Sequence, residues 1–155
     1  MAFVKVANIP KEIKIYDAYT NHVPDVELHV AKDVFVLGYP RGMIHQGIFP
    51  IWKRASIASE PSISRDDGLP MFLVDTATRE GMSGAPVFAY DTGSTRLTNG
   101  NIALSAGATR HFCGIYSGRY GSDVEDGIQL GRVWSESAVV EMIDDPAVGS
   151  HTLSK

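Results

Sequence analysis

The sequence predicts an all-β protein, an antiparallel barrel or sandwich, that ends in a short helix. Short segments rich in Val, Ile, Phe and Tyr recur along the chain, and several alternate apolar with polar residues, which is the pattern of half-buried strands. The predicted strands are residues 2–6, 26–30, 33–40, 47–59 with a break at Pro50, 71–75, 85–90, 110–117 and 127–134. Segments with turn chemistry separate them, above all 64–70, 91–101 and 118–127. Strands at this spacing are typical of antiparallel barrels and sandwiches.

Only the segment after the last strand has a helical pattern. Ser135 is placed to cap this helix, Glu136 suits its first turn, and Pro146 ends it. The apolar residues expected on its buried face are Val139, Met142 and Ile143. The residues after Pro146 are expected to be frayed.

The composition is that of a folded protein and excludes several function classes. Of the 155 residues, 44% are hydrophobic and 21% are charged, and the net charge is −4. No cluster of Lys and Arg offers a surface to nucleic acid, no apolar run approaches the ~18 residues of a membrane span, and the N-terminal apolar stretch is too short for a secretion signal. The sequence therefore predicts a soluble protein that binds neither nucleic acid nor membrane, and it leaves the compartment open.

Cysteine and metal chemistry are not indicated. The single cysteine, Cys113, precludes an internal disulfide and is expected to be a small buried side chain rather than a reactive thiol. No metal-ligand spacing of Cys and His occurs, so neither a metal nor another cofactor is predicted.

Residues 79–88, REGMSGAPVF, place a small hydroxyl between glycines directly before an apolar strand. A nucleophilic serine must present its hydroxyl to solvent while nearby backbone N–H groups face the oxygen of the attacked carbonyl. Gly81 permits a backbone conformation closed to bulky residues, and Gly84 leaves room for a substrate backbone. The simpler alternative is a glycine-rich β-turn that leads into the strand, and residues 81–86 alone leave both interpretations open.

The neighbourhood of this loop resembles that of trypsin-like (chymotrypsin-fold) serine peptidases. Gly-x-Ser-Gly-[Gly/Ala]-Pro followed by an apolar strand, here residues 81–86, is similar to the nucleophile loop of that family. The other matching segments, in the family's order, are DVFVLGYPRG (33–42), PIWKRASIAS (50–59), CGIYSGRYG (113–121) and DGIQLGRVW (126–134). The resemblance covers residues 30–143 and implies the second antiparallel β-barrel of a bacterial-type peptidase, with a short C-terminal helix.

The resemblance implies a role for each matching residue. Ser83 would be the nucleophile, and the backbone N–H groups of Gly81 and Ser83 would form the oxyanion hole. Ser117 and Gly118 would lie on the strand that hydrogen-bonds the substrate backbone.

The same resemblance implies a specificity pocket with Ala77 near its floor and Gly127 on its wall. Because Ala77 carries no charge, an apolar or small side chain is expected before the cleaved bond. Met82 stands where digestive members of the family carry an aspartate that pairs with a freed N-terminus, so activation by that kind of cleavage is not indicated.

The base and the acid that such a nucleophile needs are missing. In the family a histidine and an aspartate come from the first barrel, ahead of all the matching segments. The histidines of this chain are His22, His29, His45, His111 and His151. None lies in the family's setting, and each is assigned a structural or solvated role, with His45 the least implausible exception because its loop is able to approach the site.

The first residues suggest why these groups are missing. MAFVKV resembles the family's strand that begins with the orienting aspartate, which would then lie directly upstream of Met1. We expect residues 1–29 to be a remnant of a first barrel and its crossover, 30–143 the C-terminal barrel of the peptidase, and 144–155 a flexible tail. We therefore expect the upstream coding region to encode a first barrel with a histidine and to end in Asp directly before Met1. An in-frame stop at that point, with no first barrel encoded, would contradict this expectation.

Two functions follow from these interpretations. The first is a serine endopeptidase that acts by acyl transfer through Ser83, present as a piece without His and Asp and so nearly inactive alone. The second is a non-catalytic module that binds extended peptides on the same barrel, since a fold does not by itself establish catalysis. An esterase is disfavoured because Ser83 leads into a strand rather than a helix. The expected partners are a polypeptide substrate and either the missing first-barrel segment or a second copy of the chain.

Overall fold

The computed structural model describes residues 23–43, 49–63, 68–77, 79–120 and 129–145. The elements within these ranges are β1 (Asp33–Gly38), a 3-10 turn (Pro40–Gly42), β2 (Ile51–Ile57), β3 (Met71–Asp75), β4 (Pro86–Arg96), β5 (Ile102–Arg119), β6 (Leu130–Ser135) and α1 (Glu136–Asp144). The strand predicted at residues 2–6 lies outside the described residues.

The strands close into a barrel. Their order around the ring is β1-β2-β3-β6-β5-β4, and each neighbouring pair is antiparallel. The prediction of an all-β fold with a short C-terminal helix is confirmed, and of the two architectures that the strand pattern left open the barrel is the one observed.

Strand alternation decides which side chains fill the barrel. In β1, Val34 and Val36 are fully buried, whereas Phe35 between them is half-buried on the outer face. The core inside the ring consists of Val34, Val36, Ala55, Ile57, Phe72, Val74, Met82, Ala85, Val87, Ala89, Cys113, Tyr116 and Val133. Burying one large apolar side chain contributes about 1.5–3 kcal/mol, so this cluster is the main source of stability.

A second apolar cluster lies on the outer face of the barrel, under the helix. Phe88 and Phe112 pack there against Val139 of α1, with ring centroids 5.7 Å apart. Val139, at the end of the first turn, thereby attaches the helix to β4 and β5. No helix in the described ranges is long and apolar enough to cross a lipid bilayer.

The predicted face of the helix is only partly correct. Val139 is buried and Met142 is half-buried, but Ile143 is exposed because the barrel covers only the N-terminal part of α1. Ser135 does occupy the N-cap position, yet its hydroxyl pairs with the hydroxyl of Ser137 at 2.7 Å instead of accepting from a helix amide. Pro146 lies outside the described residues.

The loop predicted at residues 91–101 is wrong for its first half. β4 continues to Arg96 and pairs with β5 down to Ile102, so the turn is confined to residues 97–101. Thr95 is buried, and its hydroxyl lies 3.1 Å from that of Thr109 on the facing strand. Threonine and serine are compatible with strands as well as turns, and here cross-strand pairing decides between the two.

The strand predicted at residues 26–30 is also wrong. Only Val26 makes a β-bridge, to Leu97. Asp25 and Ala31, on either side of this segment, have φ angles of 56° and 69°, which interrupt an extended backbone. Residues 26–30 therefore make a single β-bridge instead of a strand, although their apolar and polar residues alternate.

Replacing Gly114 by alanine is expected to destabilise the barrel severely. Gly114 has a φ of +138°, and a Cβ there would lie 1.8 Å from the carbonyl oxygen of Trp134 in β6. We expect Gly114→Ala to lower the free energy of unfolding in urea by at least about 3 kcal/mol. Gly107→Ala, on the same strand with open space around it, is the matched control and should change stability by less than about 0.5 kcal/mol. Equal stability of the two variants would contradict this account of the β5–β6 contact.

Candidate active site

Ser83 lies exposed on a tight turn between β3 and β4. The turn spans Met82–Ala85, and the N–H of Ala85 donates to the carbonyl of Met82 at 3.1 Å. Gly84, the third residue of the turn, has a φ of +85°, which a type II turn requires at that position. The expected glycine-rich turn is therefore present, and its tip carries the serine.

Met82 anchors the turn to the barrel. Its side chain is fully buried in the core, and a Cβ added to Gly38 of β1 would lie 2.9 Å from the sulfur of Met82. The side chain of Met82 is thus in the core, whereas the next residue, Ser83, is exposed.

Two backbone hydrogen bonds attach the turn to β5. The N–H of Gly84 donates to the carbonyl of Tyr116 at 2.8 Å, and the N–H of Tyr116 donates to the carbonyl of Ala85 at 2.9 Å. The ring of Tyr116 is fully buried over Gly131, where an added Cβ would lie 2.3 Å from a ring carbon. The serine turn therefore has a defined position relative to β5.

Gly81 places the start of the turn against the segment after β1. Its φ is +88°, and a Cβ there would lie 2.6 Å from the carbonyl oxygen of Tyr39 and 3.0 Å from the amide nitrogen of Arg41. The N–H of Arg41 donates to the carbonyl of Glu80 at 2.7 Å. Only glycine satisfies both the backbone angle and the close approach, as expected for this position.

The backbone amides around the serine differ in whether they are bonded. Within the described part of the chain, no backbone acceptor is bonded to the N–H groups of Gly81 and Ser83, whereas the next amide, that of Gly84, is bonded to β5. Exposed, unengaged N–H groups on a glycine turn are the chemical groups from which an oxyanion hole is built.

β5 has an open backbone edge beside the serine. Its pairing with β4 ends at Ile115, while its pairing with β6 continues to Arg119. Among the described strands, the residues from Ser117 to Arg119 therefore have a neighbour on one side only. Gly118 has a φ of +109°, and a Cβ added there would lie 3.5 Å from Ser83 Oγ.

A small cleft opens where the turn meets this edge. Its volume is about 140 Å³, and it is lined by Arg79, Glu80, Ser83, Tyr116, Gly118 and Arg119. The structure thus brings Ser83, Gly81 and Gly118 together, with Ser117 half-buried next to them on β5. Ala77 is exposed two residues beyond β3 and is not among the described residues that line the cleft, and Gly127 lies outside the described residues.

Neither of the two histidines described is bonded to Ser83. His29 is exposed and its Nδ1 lies 2.8 Å from the carbonyl of Val30. His111 is buried, with Nδ1 3.1 Å from the carbonyl of Val23 and Nε2 3.8 Å from Glu136. His22, His45 and His151 lie outside the described residues. In the described ranges no group of three His, Cys, Asp or Glu side chains is placed to hold a metal ion.

Cys113 is not an alternative nucleophile. It is buried in the barrel core, where its sulfur accepts from the N–H of Ala89 at 3.2 Å, and burial raises the pKa of its thiol to about 12. Since the thiolate is the reactive form, the thiol is inert near neutral pH. The predicted burial of Cys113 is confirmed.

The charged residues of the cleft could not be identified from the sequence. Arg79, Glu80 and Arg119 are charged residues in segments rich in turn formers, and such residues are usually solvated. Their meeting at one cleft depends on the contact between the turn and β5. The only signal in the sequence was their position, within a few residues of Ser83 or Gly118.

Comparison with known proteins finds little similarity in sequence. No protein family matches the chain, and no curated protein matches it. Among solved structures the chain is similar to the crystal structure of Rv3671c from M. tuberculosis H37Rv, a serine-to-alanine mutant in an inactive form. The two are 19% identical with a TM-score of 0.45, and the match covers 83% of this chain. It covers 55% of the other chain, so this chain spans little more than half of that protein's length.

The thiol of Cys113 is expected to make stability depend on pH in alkaline solution. Its pKa is about 12 when folded and 9.0 ordinarily, so between these values the unfolded chain loses a proton that the folded chain keeps. The free energy of unfolding should therefore fall as pH rises above 9, by up to about 1.4 kcal/mol per pH unit from this group. Urea unfolding of the wild type and of Cys113→Ala at pH 8, 9 and 10 measures this change in the free energy of unfolding. The free energy of unfolding should fall more steeply with pH in the wild type than in the variant. Equal slopes would contradict the raised pKa of the Cys113 thiol.

Proposed function

We propose that this chain carries the nucleophile and the peptide-binding strand of a serine endopeptidase site. The observation that supports the proposal best is the position of Ser83, exposed on a turn that is bonded to β5 where β5 loses its β4 partner. Peptide cleavage requires a nucleophile and a means of aligning an extended chain next to it. A serine hydroxyl beside an open strand edge provides both.

An extended peptide would bind by adding a strand to β5. Its backbone would pair with the open edge at Ser117–Arg119, and the absence of a side chain at Gly118 would let it approach the hydroxyl of Ser83. Pairing through the backbone binds peptides of many sequences, and side chains around the edge would select among them.

The reaction would be acyl transfer. Ser83 Oγ bonds to the peptide carbonyl carbon, its proton passes to a base and then to the leaving amine, and the C–N bond breaks to leave an ester on Ser83. Water hydrolyses this ester and restores the hydroxyl. The N–H groups of Gly81 and Ser83 are the proposed donors to the oxygen that becomes negative.

The described histidines do not supply the base that this reaction needs. Because neither described histidine is bonded to Ser83, a histidine base would have to come from another segment or another chain, which would also orient it. Peptidases stripped of their triad retain only about 10³–10⁴-fold catalysis over water, so slow turnover is expected without this segment.

The same observation supports a second candidate, a module that binds extended peptides and does not cleave them. Such a module needs the open edge of β5 and Gly118 but no activated hydroxyl. Reactivity at Ser83 therefore distinguishes the two functions.

Labelling with a fluorophosphonate probe tests the proposal, because phosphonylation requires an activated serine. Intact-mass and peptide mass spectrometry of the full gene product should find one adduct, on Ser83. The adduct should disappear in Ser83→Ala and persist in Ser94→Ala, which removes an exposed hydroxyl from the β4–β5 hairpin. Absence of any adduct in the full gene product would favour the peptide-binding module.

Gly118→Ala should weaken peptide binding more than its effect on stability accounts for. Gly118 and Gly93 both have positive φ angles, 109° and 80°, so each alanine variant should lose about 1–2 kcal/mol of stability. Only the new methyl group at 118 stands in front of the open edge, and overpacking of this kind should reduce peptide affinity about tenfold. Peptide titrations followed by amide NMR measure this loss, and an equal loss of affinity in Gly93→Ala would contradict the proposed binding edge.

A further inference from the structure

The cleft beside Ser83 has a local charge opposite to that of the whole chain. Two guanidinium groups, those of Arg79 and Arg119, and one carboxylate, that of Glu80, belong to the residues that line it. The chain has a net charge of −4. We infer that the site selects peptides with an acidic side chain within about three residues of the bond held at Ser83, an inference that rests on the proposed function.

The two arginines have no acidic partner within the described ranges. Three other cations of these ranges do, since Lys32 forms an ion pair with Asp91, Arg54 with Asp33 and Arg96 with Glu27. A guanidinium group without a protein carboxylate offers its planar set of donors to a carboxylate of the ligand, which it binds with two parallel hydrogen bonds. A carboxylate accepts from such a group through two charged oxygens, whereas a neutral amide side chain accepts through one uncharged oxygen.

Each arginine belongs to one of the two segments that meet at the serine. Arg119 directly follows Gly118 at the open end of β5, and Arg79 precedes the turn by three residues. A peptide paired with β5 would pass between these segments, so a carboxylate on one of its residues would come within reach of both. A volume of about 140 Å³ is well below the range of small-molecule sites, which suits one side chain rather than a whole ligand.

This inference differs from the preference for an apolar or small residue implied by Ala77. That preference assumed a pocket with Ala77 near its floor, whereas the described cleft next to Ser83 is lined by charged residues and not by Ala77. The charge of the cleft is therefore the more direct guide to the substrate.

Peptide titrations test the inference. N-acetylated hexapeptide amides of alanine, with a single Glu placed at each position in turn, would be titrated into the protein at low ionic strength, with matched Gln and Lys series. The amide signals of Ser83 and Gly118 report binding at the cleft. The best Glu peptide should bind about tenfold tighter than its Gln counterpart, the Lys peptide should bind more weakly still, and the preference should shrink as salt is added.

Variants assign the preference to the two arginines. Arg79→Gln and Arg119→Gln should each reduce the ratio of Glu to Gln affinity about threefold, and the double variant should abolish it. Arg54→Gln, which removes an exposed guanidinium from β2, is the matched control and should leave the ratio unchanged. Circular dichroism should show that these surface substitutions leave the fold intact.

The outcomes separate this inference from the proposed function. Equal binding of Glu and Gln peptides at the cleft, or a preference that survives in the double variant, overturns the inference and leaves the proposed function standing. If no peptide of any charge shifts the Ser83 and Gly118 signals and the fluorophosphonate leaves Ser83 unmodified, the proposed function fails and the inference fails with it.

Discussion

Two backbone hydrogen bonds, from Gly84 to Tyr116 and from Tyr116 to Ala85, fix the turn that carries the serine to β5. Without them the hydroxyl of Ser83, the amides around it and the open edge of β5 would have no defined relation to one another. The same contact ends the pairing of this edge of β5, because beyond Tyr116 no described residue is bonded to it. The position of the nucleophile and the open edge of β5 thus have the same physical cause, which is the contact between the turn and β5.

The turn keeps this geometry because each of its neighbours is restricted. Gly81 packs against the backbone of Tyr39 and Arg41, Met82 is buried in the core, and Gly84 adopts a positive φ. Such a turn loses little entropy when a peptide binds, since it is already ordered, and preorganised donors are what stabilise a developing negative charge. The packing of Gly81 and Met82 thus adds to the two hydrogen bonds that hold the serine in place.

Local patterns in the sequence accounted for most of the barrel and for the serine turn. The apolar runs at β1, β3 and β6 identified strands, and the glycines at 81 and 84 identified a turn with special backbone angles. Non-local pairing decided the rest. β4 and β5 extend through residues with turn chemistry because they pair with each other, and residues 26–30 fail to form a strand despite alternating. The arginines of the cleft likewise meet through a contact between segments about forty residues apart, which no local pattern encodes.

The measurement that tests this account most directly is amide hydrogen exchange resolved to single residues across the turn and β5. We expect the amides of Gly84 and Tyr116 to exchange slowly, as bonded groups do, and those of Gly81 and Ser83, within three residues of Gly84, to exchange fast. Fast exchange of Gly84 and Tyr116, at the rate of Ser83, would show that the turn is not held against β5 and would contradict the arrangement on which the proposed site depends.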